Sequence, residues 1–150
     1  MYFVDVTPDR QEAFADLLYR FYAEATDLPG FEREEATRRA AKVVALSPDP
    51  VHPIFLRNNG GIIGYMLIVL YYSNEYNGFI AVLDEFFILP EFRGRGFGGT
   101  ALELLKNWVV ERGLHGLTLE VVGKGTPARA LYERHGFTLP ERRTMCWFPR

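Results

Sequence analysis

A segment rich in glycine and arginine, "RGRGFGG", has the residue types of an anion site. It follows a long apolar run and leads into a helical pattern, so its backbone N–H groups would converge at the positive end of a helix dipole. Glycines let the backbone approach a ligand closely, and arginine guanidinium groups match phosphate oxygens. The sequence therefore predicts a phosphate-binding loop made of Arg93, Gly94, Arg95, Gly96, Phe97, Gly98 and Gly99.

A dinucleotide is one candidate ligand, because Gly94, Gly96 and Gly99 satisfy G-x-G-x-x-G and Glu120 follows at about the required distance. The match begins late, at residue 94 of 150, and leaves too little chain for the remaining strand–helix–strand units. The segment "PEF" also separates the glycines from the strand before them. The preceding strands read as an antiparallel meander, which does not suit a dinucleotide fold. The dinucleotide interpretation is therefore the weaker one.

A second set of reactive groups, the neighbouring carboxylates of Asp84 and Glu85, interrupts the apolar run from Phe79 to Leu89. A carboxylate in such a strand costs free energy unless it is paired or solvated. Adjacent strand residues point to opposite faces of a sheet, so only one of the two would face a cleft. The pair is a candidate for proton transfer or for binding a cation, and the alternative is an ion pair with a neighbouring arginine.

The elements that must position these groups follow from periodicity, caps and turn residues. Helical spacing begins after the cap "TPD", and "NNGG" is typical of a hairpin turn. Proline and glycine bracket a short helix near the end of the chain. The predicted elements are strand 2–6, helices near 14–21 and 32–46, a hairpin around 58–61, strand 79–89, helix 98–112, strand 116–122, a helix ending at 136 and a last strand in "TMCWF".

This order predicts a mixed α/β fold of the form β-α-α-β-β-β-α-β-α-β. The sheet would be mostly antiparallel with helices on both faces. The strand–helix–strand unit over residues 79–122 implies one parallel, right-handed crossover. The length of 150 residues favours a single domain over residues 1–150.

Composition excludes several classes of function. A net charge of −2 lacks the basic footprint of a nucleic-acid binder. The longest apolar run, Ile62 to Tyr72, is shorter than the about 20 residues of a membrane-spanning helix, and no leader pattern is visible. The histidines lack metal-ligand spacing, so no metal is expected. A single cysteine, Cys146, fits a reducing cytoplasm and is predicted to be a buried structural thiol.

Two motifs in correct order resemble those of the GNAT N-acetyltransferase family. The first is Arg93-x-x-Gly96-x-Gly98 after "ILPEF", and the second is "ARALYERHGF" from Ala128 to Phe137. With the strand between them they cover residues 79–137, and the predicted element order is also similar to that family's. The resemblance implies acetyl-CoA as the acyl donor, held by its pyrophosphate on the glycine loop, and direct attack by an amine.

The resemblance also implies roles for further residues. The backbone of Phe87 and Ile88 would stabilise the oxyanion, at a bulge that lets the long strand splay from its neighbour. Tyr132, in the "LY" position, would be the general acid for the departing thiolate, and the alternative is a core aromatic. Gly125 stands where many members have asparagine, so Thr126 or backbone groups would replace that contact with the cofactor.

For the acceptor, similarity to the acidic pairs of polyamine-type and aminoglycoside-type members favours Asp84 as base or substrate anchor, with Glu85 the alternative. The segment from Glu24 to Glu35 is rich in carboxylates and would line the acceptor side. A small cationic amine is therefore expected, although a solvated acidic helix start gives the same composition. A protein N-terminus or lysine, or a non-catalytic acyl-CoA-binding module, remain alternatives. A homodimer is compatible with the aromatic C-terminus.

Overall fold

The computed structural model describes residues 1–25, 29–121, 125–141 and 145–149. They group into two compact units, residues 1–120 and residues 121–150. Single-turn 3-10 helices at Pro8–Arg10 and Pro90–Phe92 precede two of the α-helices. The other elements are β1 Tyr2–Asp5, α1 Gln11–Glu24, α2 Arg33–Ala45, β2 Val51–Asn58, β3 Gly61–Ser73, β4 Gly78–Ile88, α3 Phe97–Glu111, β5 Leu117–Leu119 and α4 Pro127–Arg134.

The strands form one sheet in the order β1-β2-β3-β4-β5, with antiparallel neighbours except for the parallel pair β4–β5. This confirms the predicted fold class and the single parallel crossover. The strand predicted over residues 116–122 is shorter than expected, spanning Leu117–Leu119. None of the helices in the described ranges has the length and apolar character needed to cross a membrane.

The sheet buries both of its faces because its long strands are apolar at successive positions. One face packs on α1 and α2 through a cluster that includes Phe14, Phe55, Tyr65 and Phe87. Alternate residues of the same strands face α3, which buries Ala101, Leu102, Leu105 and Val109. A ring contact of 5.2 Å between His52 of β2 and Trp108 of α3 marks this second face.

A register shift in β4 decides where the sheet opens. Leu67 of β3 pairs with Glu85 and Ile68 pairs with Leu83, so Asp84 is an extra residue in the strand. The pairing of β4 with β5 covers Ala81 to Leu83 and stops immediately before Asp84. The sequence interpretation put this bulge at Phe87 and Ile88; both residues instead pair regularly with β3. The strands thus separate earlier than expected.

Close contact between β3 and β4 beyond the bulge depends on Gly64. A Cβ at this position would collide with the carbonyl oxygen of Phe87, which no side chain can relieve because the obstacle is backbone. Gly64 pairs with Ile88, the last residue of β4. The glycine therefore holds the end of β4 tightly on β3 while its other edge is released from β5.

The second unit contains α4, which begins at a Thr126 cap and ends before Gly136, whose φ is +81°. The predicted last strand is not present at Met145 to Phe148, and Thr144 lies outside the described residues. Met145 and Trp147 are 95% and 83% exposed. The prediction of a buried Cys146 is wrong, because this thiol is exposed together with its neighbours.

Candidate functional site

The glycine loop, residues 93–99, connects the end of β4 to the start of α3. Gly94 and Gly96 have φ of +72° and +79°, the left-handed region that favours glycine. Gly96 is the N-terminal cap residue of α3, and its carbonyl accepts a hydrogen bond from the Thr100 N–H at 3.2 Å. The N–H groups of the first turn have no acceptor within a helix, so they point out of its N-terminus.

The loop leaves room for a ligand beside Gly94 and Gly96, the two positions with positive φ. A Cβ added at Gly94 or Gly96 would meet no atom of the described residues within 4 Å. These glycines are therefore required by backbone conformation, and the space beside them is open. A helix N-terminus with outward N–H groups and free space is suited to bind a phosphate.

Arg93 binds protein groups that the sequence did not indicate. Its Nε donates to the Ile88 carbonyl at 2.7 Å, and its Nη2 lies 2.7 Å from the carboxylate of Glu24 at the end of α1. Its guanidinium also lies 5.3 Å from the centre of the Phe87 ring. Arg93 thus ties the loop to β4 and α1, while Arg95 lies over the ring of Phe92 at 5.9 Å.

The N–H groups of Phe87 and Ile88 point to opposite edges of β4. Leu89 N–H donates to the Ile63 carbonyl of β3 at 2.9 Å. Backbone groups alternate sides along a strand, so the N–H of Phe87 points toward β3 and that of Ile88 points to the opposite edge. Of the two residues predicted for the oxyanion, Ile88 has the N–H on the edge that β5 leaves open.

Glu85 is the buried member of the carboxylate pair, at 9% exposure. Its Oε1 accepts a hydrogen bond from the Tyr22 hydroxyl at 2.7 Å, and its Oε2 accepts one from the Tyr65 hydroxyl at 2.8 Å. Burial raises the pKa of Glu85 despite these two donors, which favour the charged form. We call Glu85, Tyr22 and Tyr65 the Glu85 cluster. Its two hydrogen bonds explain how an apolar strand can contain this carboxylate.

Asp84, by contrast, is exposed at the bulge where β4 and β5 separate. Desolvation raises its pKa, and the negative charge of Glu120, just beyond β5, raises it further. The two neighbouring carboxylates therefore differ in surroundings. One is fixed by two phenols, and the other lies at the opening of the sheet.

Residues of α2 and of the segment before it pack against Tyr22 of the Glu85 cluster. The Phe31 ring lies 4.3 Å from the Tyr22 ring, and the Arg39 guanidinium lies 4.4 Å above Phe31. Arg39 itself is bound to Glu35 at 2.9 Å. The sequence interpretation missed Tyr22 and Tyr65, because neither stands in a motif and nothing in their spacing links them to Glu85.

The predicted acidic lining of the acceptor side is partly neutralised by arginines. Glu24 pairs with Arg93, and Glu35 pairs with both Arg38 and Arg39. Asp27 lies outside the described residues. The number of acidic residues in this segment therefore overstates its attraction for a cation. The prediction of a cationic acceptor rests instead on Glu85 and Asp84.

The second unit holds Tyr132 and Thr126. Burial raises the pKa of Tyr132, so its hydroxyl stays protonated at neutral pH. Its ring lies 5.8 Å from that of Phe137. The Thr126 Oγ1 accepts a hydrogen bond from the Arg129 N–H at 3.2 Å and so caps α4. Gly125 before it has φ of +74°, a conformation that asparagine also tolerates.

A cavity of about 530 Å³ lies at the far end of α3 from the glycine loop, lined by Pro48, Asp49, Pro50, His52, Leu70, Phe79, Arg112 and Leu114. Burial lowers the pKa of His52, partly offset by Asp49 at 3.2 Å. The cavity includes no predicted site residue. Across the described ranges, no three His, Cys, Asp or Glu side chains form a group able to hold a metal ion.

Comparison with known proteins matches this chain to one family. The family model described as "Acetyltransferase (GNAT) family" matches residues 12–137. An uncharacterized N-acetyltransferase, YhfO of Bacillus subtilis (strain 168), is 28% identical over 117 residues, covering 78% of this chain and 74% of YhfO.

Two solved structures have the same fold. A possible acetyltransferase from Clostridium difficile 630 superposes with a TM-score of 0.86 at 15% identity, covering 99% of this chain and 97% of that one. The aminoglycoside N-acetyltransferase AAC(6')-Iy, solved in complex with CoA, gives a TM-score of 0.76 at 17% identity, with 99% and 94% coverage.

Proposed function

Because this chain belongs to the acetyltransferase (GNAT) family and is an acetyl-CoA-dependent N-acetyltransferase, we propose that it acetylates the primary amine of a small cationic molecule. The observation that carries this proposal is the Glu85 carboxylate, fixed by two phenols beside an exposed Asp84. Two carboxylates near the open edge of β4 favour an acceptor that arrives as an ammonium ion. Polyamines, diamines, amino sugars and basic amino acids have this chemistry.

The donor binds at the glycine loop in this proposal. The outward N–H groups at the start of α3 hold the pyrophosphate of acetyl-CoA, and Arg95 adds charge. Open space beside Gly94 and Gly96 supports this fit. Arg93 anchors the loop to the end of β4 through Ile88. The thioester then lies along the edge of β4 that β5 leaves free, with the Ile88 N–H as the donor for the oxyanion.

The proton transfers are assigned to two side chains, and a third holds the acceptor. Asp84, exposed at the bulge, anchors the acceptor's ammonium group, and Glu85 takes the proton that the amine must lose before attack. The amine nitrogen forms a bond to the thioester carbon, and the carbon–sulfur bond breaks. Tyr132, a protonated phenol, gives its proton to the departing thiolate, and the second proton that the attacking nitrogen loses as the amide forms replaces it.

The donor half of the proposal is tested by thermal unfolding with acetyl-CoA, CoA, NAD or NADP. A ligand that binds the native state raises the unfolding temperature. We expect stabilisation by acetyl-CoA and CoA and none by the dinucleotides. Release of free thiol across a panel of diamines, amino sugars, basic amino acids and peptides then tests the acceptor. Turnover confined to peptides would contradict a small-molecule acceptor, and no stabilisation by acetyl-CoA would contradict the whole proposal.

The acid role of Tyr132 is tested by Tyr132→Phe. We expect turnover to fall about tenfold or more, because general acid catalysis commonly contributes at least this much. Acetyl-CoA affinity should be unchanged, since the substitution removes only a hydroxyl. Steady-state rates and calorimetric titration measure the two quantities, with Tyr2→Phe on the exposed β1 as the control. An unchanged rate would leave Tyr132 as a packing residue only.

A further inference from the structure

The two tyrosines that hold Glu85 differ in their access to solvent. Tyr65 lies on β3 and is completely buried, packed edge to face on Phe14 at 5.3 Å. Tyr22 lies on the last turn of α1 and is only half buried. Both hydroxyls donate to the same carboxylate at nearly equal distances, 2.7 and 2.8 Å. Tyr22 therefore connects the buried Glu85 carboxylate, by a hydrogen bond, to the last turn of α1.

We propose that Tyr22 is a catalytic proton relay between the acceptor amine and Glu85. This inference rests on the proposed function, because it concerns the amine that the enzyme acetylates. Glu85 itself is buried, with both of its oxygens engaged by phenols. Tyr22 is more exposed than Glu85, so an acceptor that approaches from the α1 side would reach Tyr22 first.

The relay balances as one concerted shift. The acceptor's ammonium group gives a proton to the Tyr22 hydroxyl oxygen, and the Tyr22 hydroxyl hydrogen passes to Glu85 Oε1. The amine is left with its lone pair and attacks the thioester carbonyl carbon. When the carbon–sulfur bond breaks, the attacking nitrogen loses its second proton as the amide forms, and this proton balances the one that Tyr132 gives to the departing thiolate to form the CoA thiol. Glu85 returns its proton to solvent, so one proton is released overall.

The surroundings of Tyr22 favour passing a proton over holding a charge. Burial, and then the negative charge of Glu85, raise the pKa of Tyr22, so the phenolate does not accumulate. The Phe31 ring at 4.3 Å and the Arg39 guanidinium at 5.7 Å hold the Tyr22 ring from the other side. This packing fixes the hydroxyl on Glu85, and no group of the described residues donates a hydrogen bond to the Tyr22 hydroxyl oxygen.

The titration of Glu85 depends on groups from four elements. Tyr22 of α1 and Tyr65 of β3 donate hydrogen bonds that lower its pKa, Arg39 of α2 lowers it by its charge, and Asp84 of β4 raises it. Removing either hydroxyl should therefore move the acid limb of the rate profile to higher pH. Only removing Tyr22 should also interrupt the path of the proton.

The experiment compares Tyr22→Phe, Tyr65→Phe and Tyr19→Phe, using acetyl-CoA and whichever amine of the panel the wild type acetylates. Turnover is measured by thiol release from the acid limb to the plateau. Tyr22→Phe should lower the plateau about tenfold or more. It should also shift the limb upward, whereas Tyr65→Phe should shift the limb and lower the plateau much less. Tyr19, an exposed residue on the same helix, is the matched control and should behave as the wild type.

Two outcomes would overturn the relay. A Tyr22→Phe plateau equal to that of Tyr19→Phe would mean that the amine does not use this hydroxyl. Equal losses in Tyr22→Phe and Tyr65→Phe would mean that both tyrosines only position Glu85. Thermal stabilisation by acetyl-CoA, measured on each variant, verifies that it is folded. Because the wild type must first transfer acetyl groups, failure of the relay is distinguishable from failure of the proposed function.

Discussion

The glycine loop and the Glu85 cluster form their sites in different ways. The loop is one continuous segment of the chain whose conformation is set by backbone dihedrals, with Gly94 and Gly96 in the left-handed region. The Glu85 cluster combines side chains from α1, β3 and β4, separated by 63 and 20 positions from Glu85. One site is local in sequence, and the other exists only after the sheet and α1 have packed.

This difference explains why the two sites have different chemical scope. Backbone N–H groups at a helix start recognise phosphate whatever else the ligand carries, which suits a donor shared across a family. A buried carboxylate held by specific tyrosines depends on neighbouring side chains, which can change without altering the fold. We therefore expect substitutions in the Glu85 cluster to affect turnover and acceptor use, and substitutions in the loop to affect donor affinity.

The strongest test of this division is Glu85→Gln. Loss of a general base commonly costs 10²–10⁴ in rate, and we expect turnover to fall by about 10²–10³. The wild-type rate should rise with pH through the raised pKa of Glu85, because the base acts when deprotonated. The variant should lose this limb and keep its acetyl-CoA affinity. Rates along the acid limb and calorimetric titration measure both effects.

Asp84→Asn is the matched control for Glu85→Gln, since it neutralises the adjacent carboxylate. If Asp84 anchors the amine, Asp84→Asn should raise the KM for the amine more than it lowers kcat. A larger loss of kcat in Asp84→Asn than in Glu85→Gln would exchange the roles of the two carboxylates. It would also mean that the exposed residue at the bulge, and not the buried cluster, takes the proton.

The corresponding test of the loop is Gly96→Ala. A non-glycine residue in the left-handed region costs about 1–2 kcal/mol, and Gly96 has φ of +79°. If that conformation is needed to hold the pyrophosphate, acetyl-CoA affinity should fall about tenfold. The kcat at saturating acetyl-CoA should be retained. Titration calorimetry gives the affinity, and thiol release gives the rate.

Gly60→Ala, in the turn between β2 and β3, controls for loss of a glycine as such. A Cβ there meets no atom within 4 Å. Its affinity for acetyl-CoA should equal that of the wild type. If Gly96→Ala binds as tightly as Gly60→Ala, the left-handed conformation of the loop is not part of donor binding.

The contrast between a continuous segment and a cluster of distant side chains also determines how much could be predicted from the sequence. The loop and α3 follow from glycine, arginine and helical periodicity within one segment, so the turn with positive φ and the start of the helix after it could be predicted from sequence. The boundaries of the long strands and of α1 to α3 were also close, because caps and turns mark them locally. The position of the bulge, which decides where the edge of β4 becomes free, was harder to predict. The bulge lies at Asp84, because the register depends on β3 as well as on β4.

The Glu85 cluster could not be predicted for a related reason. Tyr22 and Tyr65 are two of eight tyrosines, and only packing of α1 on the sheet brings their hydroxyls to Glu85. Arg93 shows the same limit inside the loop itself. The motif predicts that Arg93 is a phosphate ligand. Its contacts with Ile88 and Glu24 could not be predicted, because the Glu24 contact depends on where α1 ends.

The smallest expected effect comes from Glu24→Gln, which breaks the one described ion pair between the glycine loop and α1. Arg93 and Glu24 are 2.7 Å apart, but their side chains are 47% and 38% exposed. Exposed pairs contribute about 0–1 kcal/mol, so acetyl-CoA affinity should change less than about fivefold. Arg93 keeps its bond to the Ile88 carbonyl, which holds the loop on β4 without Glu24.

Glu91→Gln provides the comparison, because it removes a similar exposed pair, Arg20–Glu91 at 3.3 Å, and leaves the ion pair of Arg93 with Glu24 in place. Both variants are titrated with acetyl-CoA at low and high salt. Separate sites predict equally small changes in the two, vanishing as salt screens the exposed charges. A much larger loss of affinity in Glu24→Gln, persisting at high salt, would mean that α1 controls the donor loop through Arg93. The two regions would then act as one site, because the helix that carries Tyr22 would also set the conformation that binds acetyl-CoA.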